Sequence, residues 1–554
     1  MSSPLTSKPA DNSSRTAIRF SKSLIRPYRP LLGGIMVVLL IETAASLSLP
    51  WLGGRLSELL LGDGRGSLVV LGAITVGVLL VQLGTRIIGR LGVARIGDEL
   101  LLDLRRRTFE HLQRLPIAHH ENRKRGDQLS LLTTDAQSLS SFLSSALPGL
   151  VPMLLTLTGA LIMLGWLRPV LALIMVAAIG ATIVGLRFWM RSVRKRARAW
   201  FDSQSETVDI AEQAIEMLPM IKAEACESRQ QEIFLHAARE TLDRARALRL
   251  VATPLQPVVQ LVSMVGIVAL LIVAAGPASA NPAAPGELVT LLLYGVIVAR
   301  PLSGLADLYG SWNSARGALA RILETLALEP EPETGTRSPP RTIRTGIRFE
   351  ALTFGYEPGR PVLENFSLEI DAGERVAITG PNGCGKSTLV WLLMRFHEPW
   401  SGRVTIDGTD IRAFDLAALR KRVALVPQRV WLFQGSIADN IRLGWPAAPM
   451  ERVVEAARLA GAEEFIRDMP GGFQARLGAR GARISGGQQQ RLALARALLQ
   501  PAPALVLDEA TSMFDDIGER ALLERIQPVV ADRCVIVITH RPAMLELADR
   551  VVRM

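Results

Sequence analysis

Six apolar runs crowd the first half of this 554-residue chain: Leu31–Leu52, Leu68–Ile88, Leu147–Trp166, Val170–Met190, Leu255–Ala275 and Leu288–Leu308. Each has the length of about 20 residues that carries a helix across a bilayer. One such run alone fits a buried core helix. Six of them, with centres that read as free of charge apart from Arg300, do not. The mean hydropathy of +0.26 at 21% charged residues is high for a soluble protein, and the excess lies in these runs. In lipid every backbone N–H and C=O must be satisfied within the protein, so the runs are expected to be helices.

Basic residues then set the orientation. Lys8, Arg15, Arg19, Lys22, Arg26 and Arg29 precede the first run. The second loop carries Arg90, Arg95, Arg105, Arg106, Arg107 and Arg114 among others, and the fourth carries Arg191, Arg194, Lys195, Arg196 and Arg198. The third loop is a tight turn at Arg168-Pro169, and the fifth, 276–286, has no charge. Positive loops stay on the cytoplasmic side, so both termini are expected there, in a plasma (inner) membrane. The N-terminus has no short apolar stretch with a cleavage site, so no signal peptide is expected. The net charge of +11 is then explained by basic segments meeting anionic headgroups. Nucleic acid is not expected as a partner, because these basic residues flank apolar runs and lack interleaved aromatics. Arg300 lies mid-way along the sixth run. Two readings stay open: it faces a cavity and contacts an anionic substrate such as a lipid headgroup, or it snorkels or pairs with Asp307.

The second half reads differently. Gly380, Pro381, Asn382, Gly383, Cys384, Gly385, Lys386 and Ser387, followed by Thr388, fit the spacing G-x-x-x-x-G-K-[ST]. The apolar 376–378 before them predicts a buried strand, and 386–394 after them a helix. In that context the glycines let the backbone wrap a phosphate, and the helix N-terminus adds N–H donors and a positive dipole end. Lys386 is expected on the β- and γ-phosphates of ATP and Ser387 on Mg²⁺. Ala504–Leu507 is apolar on both faces, as in the middle of a parallel sheet, and ends in Asp508 and Glu509. Ligands of such sheets bind at the C-terminal tips of the strands. Asp508 is expected to hold Mg²⁺, and Glu509 to polarise the attacking water. The cysteines, Cys226, Cys384 and Cys534, all fall on cytoplasmic segments and imply no disulfide framework.

Between those two motifs stands Ile484-Ser485-Gly486-Gly487-Gln488, then Gln489-Gln490-Arg491. With it, residues from about 345 onward resemble the nucleotide-binding domain of an ATP-binding cassette (ABC) protein, and this string resembles that family's signature motif. The resemblance implies that Ser485, Gly486, Gly487 and Gln488 cover the γ-phosphate of ATP held by an opposite subunit. It implies that Tyr356 stacks on adenine, that Gln428 touches Mg²⁺ and the membrane half, and that His540 contacts the γ-phosphate. In the membrane half, 114–127 with Thr133-Thr134-Asp135 resembles a first coupling region, and 206–224 a second. Three departures stand out. Ala479 replaces the usual Glu before the signature, so coupling is expected to be weaker or rewired. Met513 and Phe514 replace Ala and Leu, apolar for apolar. The chain stops at Met554, where relatives continue, so either the domain is short at its C-terminus or the sequence is incomplete.

The expected architecture is that of an exporter-type half-transporter: a six-helix transmembrane α-helical domain followed by an α/β P-loop NTPase domain. The boundaries read as a cytoplasmic segment at 1–30, the membrane domain at 31–328, a Pro-rich linker at 329–344 and the nucleotide-binding domain at 345–554. Two copies, or this chain with a related half-transporter, would sandwich two ATPs between one chain's Lys386 loop and the other's Ser485 helix. The expected function is ATP-driven export or flipping of a hydrophobic or amphipathic substrate (lipid, drug or peptide). Import on the same architecture, or an ATP-gated regulatory role, are the alternatives.

Overall fold

The computed structural model describes residues 20, 22–61, 67–121, 123, 125–275, 284–332, 335–478 and 484–554. The chain divides into two compact units, Met1–Gln113 with Gly126–Ala327 and Arg114–Arg125 with Leu328–Met554.

The first unit is built from long helices: α1 (Arg29–Leu60), α2 (Leu68–Arg114), α3 (Leu147–Leu167), α4 (Pro169–Glu216), α5 (Glu227–Ala252), α6 (Leu255–Ala275) and α7 (Pro285–Leu326). Among the described residues five helical stretches are long and apolar enough to cross a membrane: Lys22–Leu60, Leu68–Arg114, Gly126–Leu167, Pro169–Glu216 and Glu227–Val273. α7 adds a shorter apolar stretch, Pro285–Val298. Five of the six expected spans are thus matched by helices of membrane-crossing length, and the sixth corresponds only to this shorter stretch. The side chains of Arg300, Pro301 and Asp307 lie outside the described residues. Apolar side chains such as Val69, Leu80, Ile162, Leu261 and Ile272 are exposed, as a lipid-facing surface requires. Several hydroxyls inside the apolar stretches are satisfied locally. Thr43, Thr75, Thr156 and Thr182 each donate to the carbonyl four residues back at 2.7–2.9 Å.

The apolar runs carry more charge than the sequence reading allowed. Glu42 lies inside the first and Arg86 near the end of the second, and Arg86 Nε donates to Glu42 Oε1 at 3.1 Å. Pairing offsets part of the cost of placing each charge there. Three further contacts fix the helices. α1 and α7 cross closely at Gly54 and Gly286, where a Cβ on Gly54 would stand 2.7 Å from the Gly286 carbonyl oxygen. Arg168, at the turn between α3 and α4, forks onto Glu287 at the start of α7 at 2.8 and 3.1 Å. Arg321 of α7 forks onto buried Asp135, its Nε 2.8 Å from Oδ2.

The second unit contains strands β1 (Gly346–Phe354), β2 (Leu363–Asp371), β3 (Arg375–Thr379), β4 (Ser401–Ile406), β5 (Thr409–Asp410), β6 (Val423–Val426), β7 (Gly435–Ser436), β8 (Arg476–Leu477), β9 (Ala504–Asp508), β10 (Cys534–Ile538) and β11 (Arg550–Arg553). An antiparallel sheet has the order β2-β1-β4-β5, and a parallel sheet the order β11-β3-β10-β9-β6. The continuous apolar runs of β9 and β10 are explained by burial on both faces. Leu505, Leu507, Val535 and Val537 face one core, with Leu492 and Leu494 of α9 (Gly486–Leu499). Ala504, Val506, Ile536 and Ile538 face the other, with Leu389 and Val390 of α8 (Lys386–Leu393) and with Ile347 and Phe349 of β1. Register then places the site. Ile538 pairs with both Ile378 and Asp508, so the C-terminal tips of β3, β10 and β9 are level.

Candidate active site

The phosphate loop leaves the tip of β3. Gly383 and Gly385 have φ of 83° and 103°, a region that L side chains enter at a cost. A Cβ on Gly385 would also stand 2.7 Å from Leu363 Cδ2. Lys386 opens the following helix and is nearly buried; its Nζ donates to the carbonyls of Gly380 at 2.7 Å and Pro381 at 2.9 Å. The ammonium is thereby held inside the curve of its own loop, 4.0 Å from Cys384 Sγ. Cys384 and Cys226 are partly exposed free thiols. Cys534 is buried on β10, and burial pushes its thiol up to about 11.

Across the sheet, Ser387 Oγ donates to Asp508 Oδ2 at 3.1 Å. The two side chains expected on Mg²⁺ are thus adjacent, from elements 121 residues apart in sequence. Burial pushes the Asp508 carboxyl above its usual range; Glu509 adds to that, while Ser387 and Lys386 oppose it. A buried carboxylate beside a hydroxyl and an ammonium is a hard-oxygen site short of positive charge, and this donor set fits Mg²⁺. Glu509 follows in a left-handed conformation, φ 48°, which a non-glycine residue adopts under strain. Its N–H donates to the Ile538 carbonyl at 2.9 Å, and its Oε2 accepts from Gln428 Nε2 at 2.6 Å. Gln428, just beyond β6, therefore holds the Glu509 carboxylate, a contact that the sequence did not foretell. His540 is exposed, two residues past the end of β10.

Ser485 caps α9. Its hydroxyl accepts from Gln488 N–H at 3.3 Å and its N–H donates to Gln488 Oε1 at 2.9 Å, a capping box. Gly486 and Gly487 form the first turn. Residues 479–483, Ala479 among them, lie outside the described residues. Tyr356 is half-exposed, and its hydroxyl lies 3.0 Å from Thr388 Oγ1. Asn382 and Gly380 complete the loop around Lys386.

Two residues have partners that the sequence did not reveal. Gln490, buried on α9, donates to Ser512 Oγ at 2.7 Å and accepts from Met513 N–H at 3.0 Å, linking the signature helix to the turn after Glu509. Arg541, next to His540, donates to the carbonyls of Thr511 at 2.7 Å and Phe514 at 2.6 Å and pairs with Glu519 at 3.0 Å. Gln490 was visible only as part of the signature string, and nothing in the local sequence marked Arg541.

Comparison with known proteins agrees with this geometry. Residues 32–302 match the ABC transporter transmembrane region, and residues 363–512 match the ABC transporter domain. An ATP-dependent lipid A-core flippase of Nitrosococcus oceani is 32% identical over 99% of this chain and 92% of its own length. A mitochondrial potassium channel ATP-binding subunit of Mus musculus is 32% identical over 99% of this chain and 79% of its own. A bacterial Atm1-family ABC exporter solved with ATP bound superposes with a TM-score of 0.85 at 26% identity, covering 95% of this chain and 93% of that one. A membrane domain and an ATPase domain of one family on one chain, with relatives that run its whole length, make it a member of the ABC transporter family with the exporter architecture: a multi-pass membrane protein that binds ATP and couples its hydrolysis to transport.

Proposed function

We propose that two copies of this chain sandwich two ATP molecules and use their hydrolysis to flip or export an amphipathic, lipid-like substrate. The proposal takes 345–554 as the motor and 31–328 as the transport path, in a plasma (inner) membrane with both termini cytoplasmic. The observation that carries it is the cluster at the level tips of β3 and β9, where Lys386, Ser387, Asp508, Glu509 and Gln428 meet. Lys386 binds the β- and γ-phosphates. Ser387, Asp508 and Gln428 hold Mg²⁺, which when bound supplies positive charge to the phosphate oxygens. Glu509, oriented by Gln428, accepts a hydrogen bond from the attacking water. His540 contacts the γ-phosphate, and Tyr356 carries the adenine. The capped N-terminus of the partner's α9 faces the same phosphate with Ser485 and its free N–H groups. ATP touches both surfaces only when they are closed, so it favours closure by differential affinity, and hydrolysis removes the bridging phosphate.

The lipid assignment is supported by the lipid A-core flippase that is 32% identical over nearly the whole chain. The channel-subunit relative favours a second reading, in which ATP changes shape without pumping. Turnover separates them. ATPase activity in nanodiscs of phosphatidylethanolamine and phosphatidylglycerol, with and without added lipid A, is the test. Stimulation by lipid A and a loss of about a hundredfold or more in Glu509→Gln are expected for a pump. Fast turnover by Glu509→Gln would remove that residue from its role, and an unstimulated, near-zero rate would favour the gated reading.

A further inference from the structure

Beneath Tyr356 lies a packed group of rings that the phosphate chemistry does not use. Tyr356 meets Phe354 edge-on at 5.2 Å, His397 at 5.5 Å and Trp391 at 5.9 Å between ring centroids. Trp391 in turn stacks on His397 at 5.6 Å and 26°. His397 is thus wedged between the tyrosine and the tryptophan. Its Nε2 is buried without a hydrogen-bond partner. The nearest acidic oxygen is Oε2 of Glu121, 3.9 Å away. Glu121 belongs to Arg114–Arg125, the segment that follows α2 in sequence but packs in the nucleotide-binding unit. That segment is anchored there by the Arg114 carbonyl, which accepts from Glu331 N–H at 2.7 Å.

Among the described residues the other charged groups around His397 are in ion pairs, although Arg395 Nη1 is itself buried without a hydrogen-bond partner. Arg395 forks onto Glu398 at 3.0 and 3.1 Å, and Glu331 is held by Arg420 at 2.7 and 2.8 Å. Glu121 is the acid that faces the imidazole. A buried polar nitrogen left unpaired costs free energy, and a separation of 3.9 Å is just beyond hydrogen-bond range. A sub-ångström approach of the segment recovers that cost. The approach succeeds only where the imidazole is held, and what holds it is Tyr356 and Trp391.

We propose that His397 is a positioning residue that links the base stacked on Tyr356 to the cytoplasmic segment 114–125 through Glu121. A base on the open face of Tyr356 clamps that ring against His397, and the steadied Nε2 becomes a donor for Glu121. The segment at the end of α2 thereby senses the base, separately from the phosphate. The proposal rests on the reading of Tyr356 as the base platform. Burial holds the His397 imidazole below its ordinary range, and Glu121 pulls the other way. The ring is therefore neutral near pH 7, and when it takes up a proton the contact with Glu121 becomes an ion pair.

The test is the Michaelis constant for ATP of the full chain in nanodiscs, between about pH 5.5 and 8. ATP's own titration is common to all variants. In the unmodified protein the constant is expected to fall about threefold in acid as the ion pair forms. His397→Phe keeps the ring packing and removes the nitrogen; Glu121→Ala removes the acceptor. Both are expected to abolish that fall while retaining kcat. Tyr356→Ala is expected to raise the constant about tenfold at every pH. One shared pH profile for the unmodified protein, His397→Phe and Glu121→Ala overturns the link. If Tyr356→Ala leaves the constant unchanged, the base-platform reading fails instead. A raised constant in Tyr356→Ala beside unaltered profiles in the other two sinks this proposal alone.

Discussion

Asp508 sits in a conflict that its proposed role as a Mg²⁺ ligand explains. Burial pushes its carboxyl upward, Glu509 pushes the same way, and Ser387 and Lys386 offset this only in part. A raised value in the fold means that the folded chain keeps a proton which the unfolded chain has already released. Stability from this group is therefore present below the unfolded value, about 4, and is lost as pH rises through the folded one. Asp508→Asn keeps the shape and never ionises. It is expected to raise the Tm of the nucleotide-free protein at neutral pH and to change it little in acid, while abolishing ATPase activity. A lower Tm at neutral pH would show that the carboxylate stabilises the free domain. Glu509, strained at φ 48°, belongs to the same pattern of cost accepted at the reacting centre.

Among elements, α7 and the segment before α3 show how an ion pair can be unequal. Asp135 is 2% exposed, whereas the Arg321 side chain is 59% exposed. Removing the arginine strands a buried carboxylate; removing the carboxylate returns the arginine to water. Arg321→Met is accordingly expected to destabilise by about 3 kcal/mol and Asp135→Leu by clearly less, read from thermal unfolding in detergent. Equal losses would mean that the pair is not what holds this segment. Sequence placed Asp135 in a coupling region by resemblance, and its burial was not legible there. The reason is general to this chain. Strands such as β9 could be read because burial on both faces leaves an unbroken apolar run. The phosphate loop could be read because its spacing is local. Glu42 and Arg86 were missed because a run averages over single charges, and their pairing spans 44 residues. The roles of Gln490 and Arg541 were not legible because both residues bind groups of turns that are distant in sequence. The packing of Arg114–Arg125 with the nucleotide-binding unit, and with it His397 against Glu121, follows from the fold alone.

The whole molecule raises a question that no single residue answers, because one chain carries half of each proposed site. In that proposal its phosphate loop contributes Lys386 and Ser387 and the tip of β9 contributes Asp508 and Glu509, while its capped α9 is offered to a partner's ATP. Lys386→Ala disables a chain's own loop and leaves its α9 intact. Ser485→Arg disables α9, by placing a bulky cation where a phosphate must approach, and leaves the loop intact. Homodimers of either variant then contain no whole site. A mixed dimer contains one, built from the loop of the Ser485→Arg chain and the α9 of the Lys386→Ala chain; its other site is doubly broken. Random pairing puts half of the chains in mixed dimers, so co-reconstitution is expected to recover about a quarter of the wild-type ATPase rate if the two sites act independently. Recovery well below that, yet above either variant alone, would show that hydrolysis at one site requires the other. No recovery at all would be expected either of a site completed within one chain or of two sites that turn over only together, and ATP binding by the mixed dimers would separate the two.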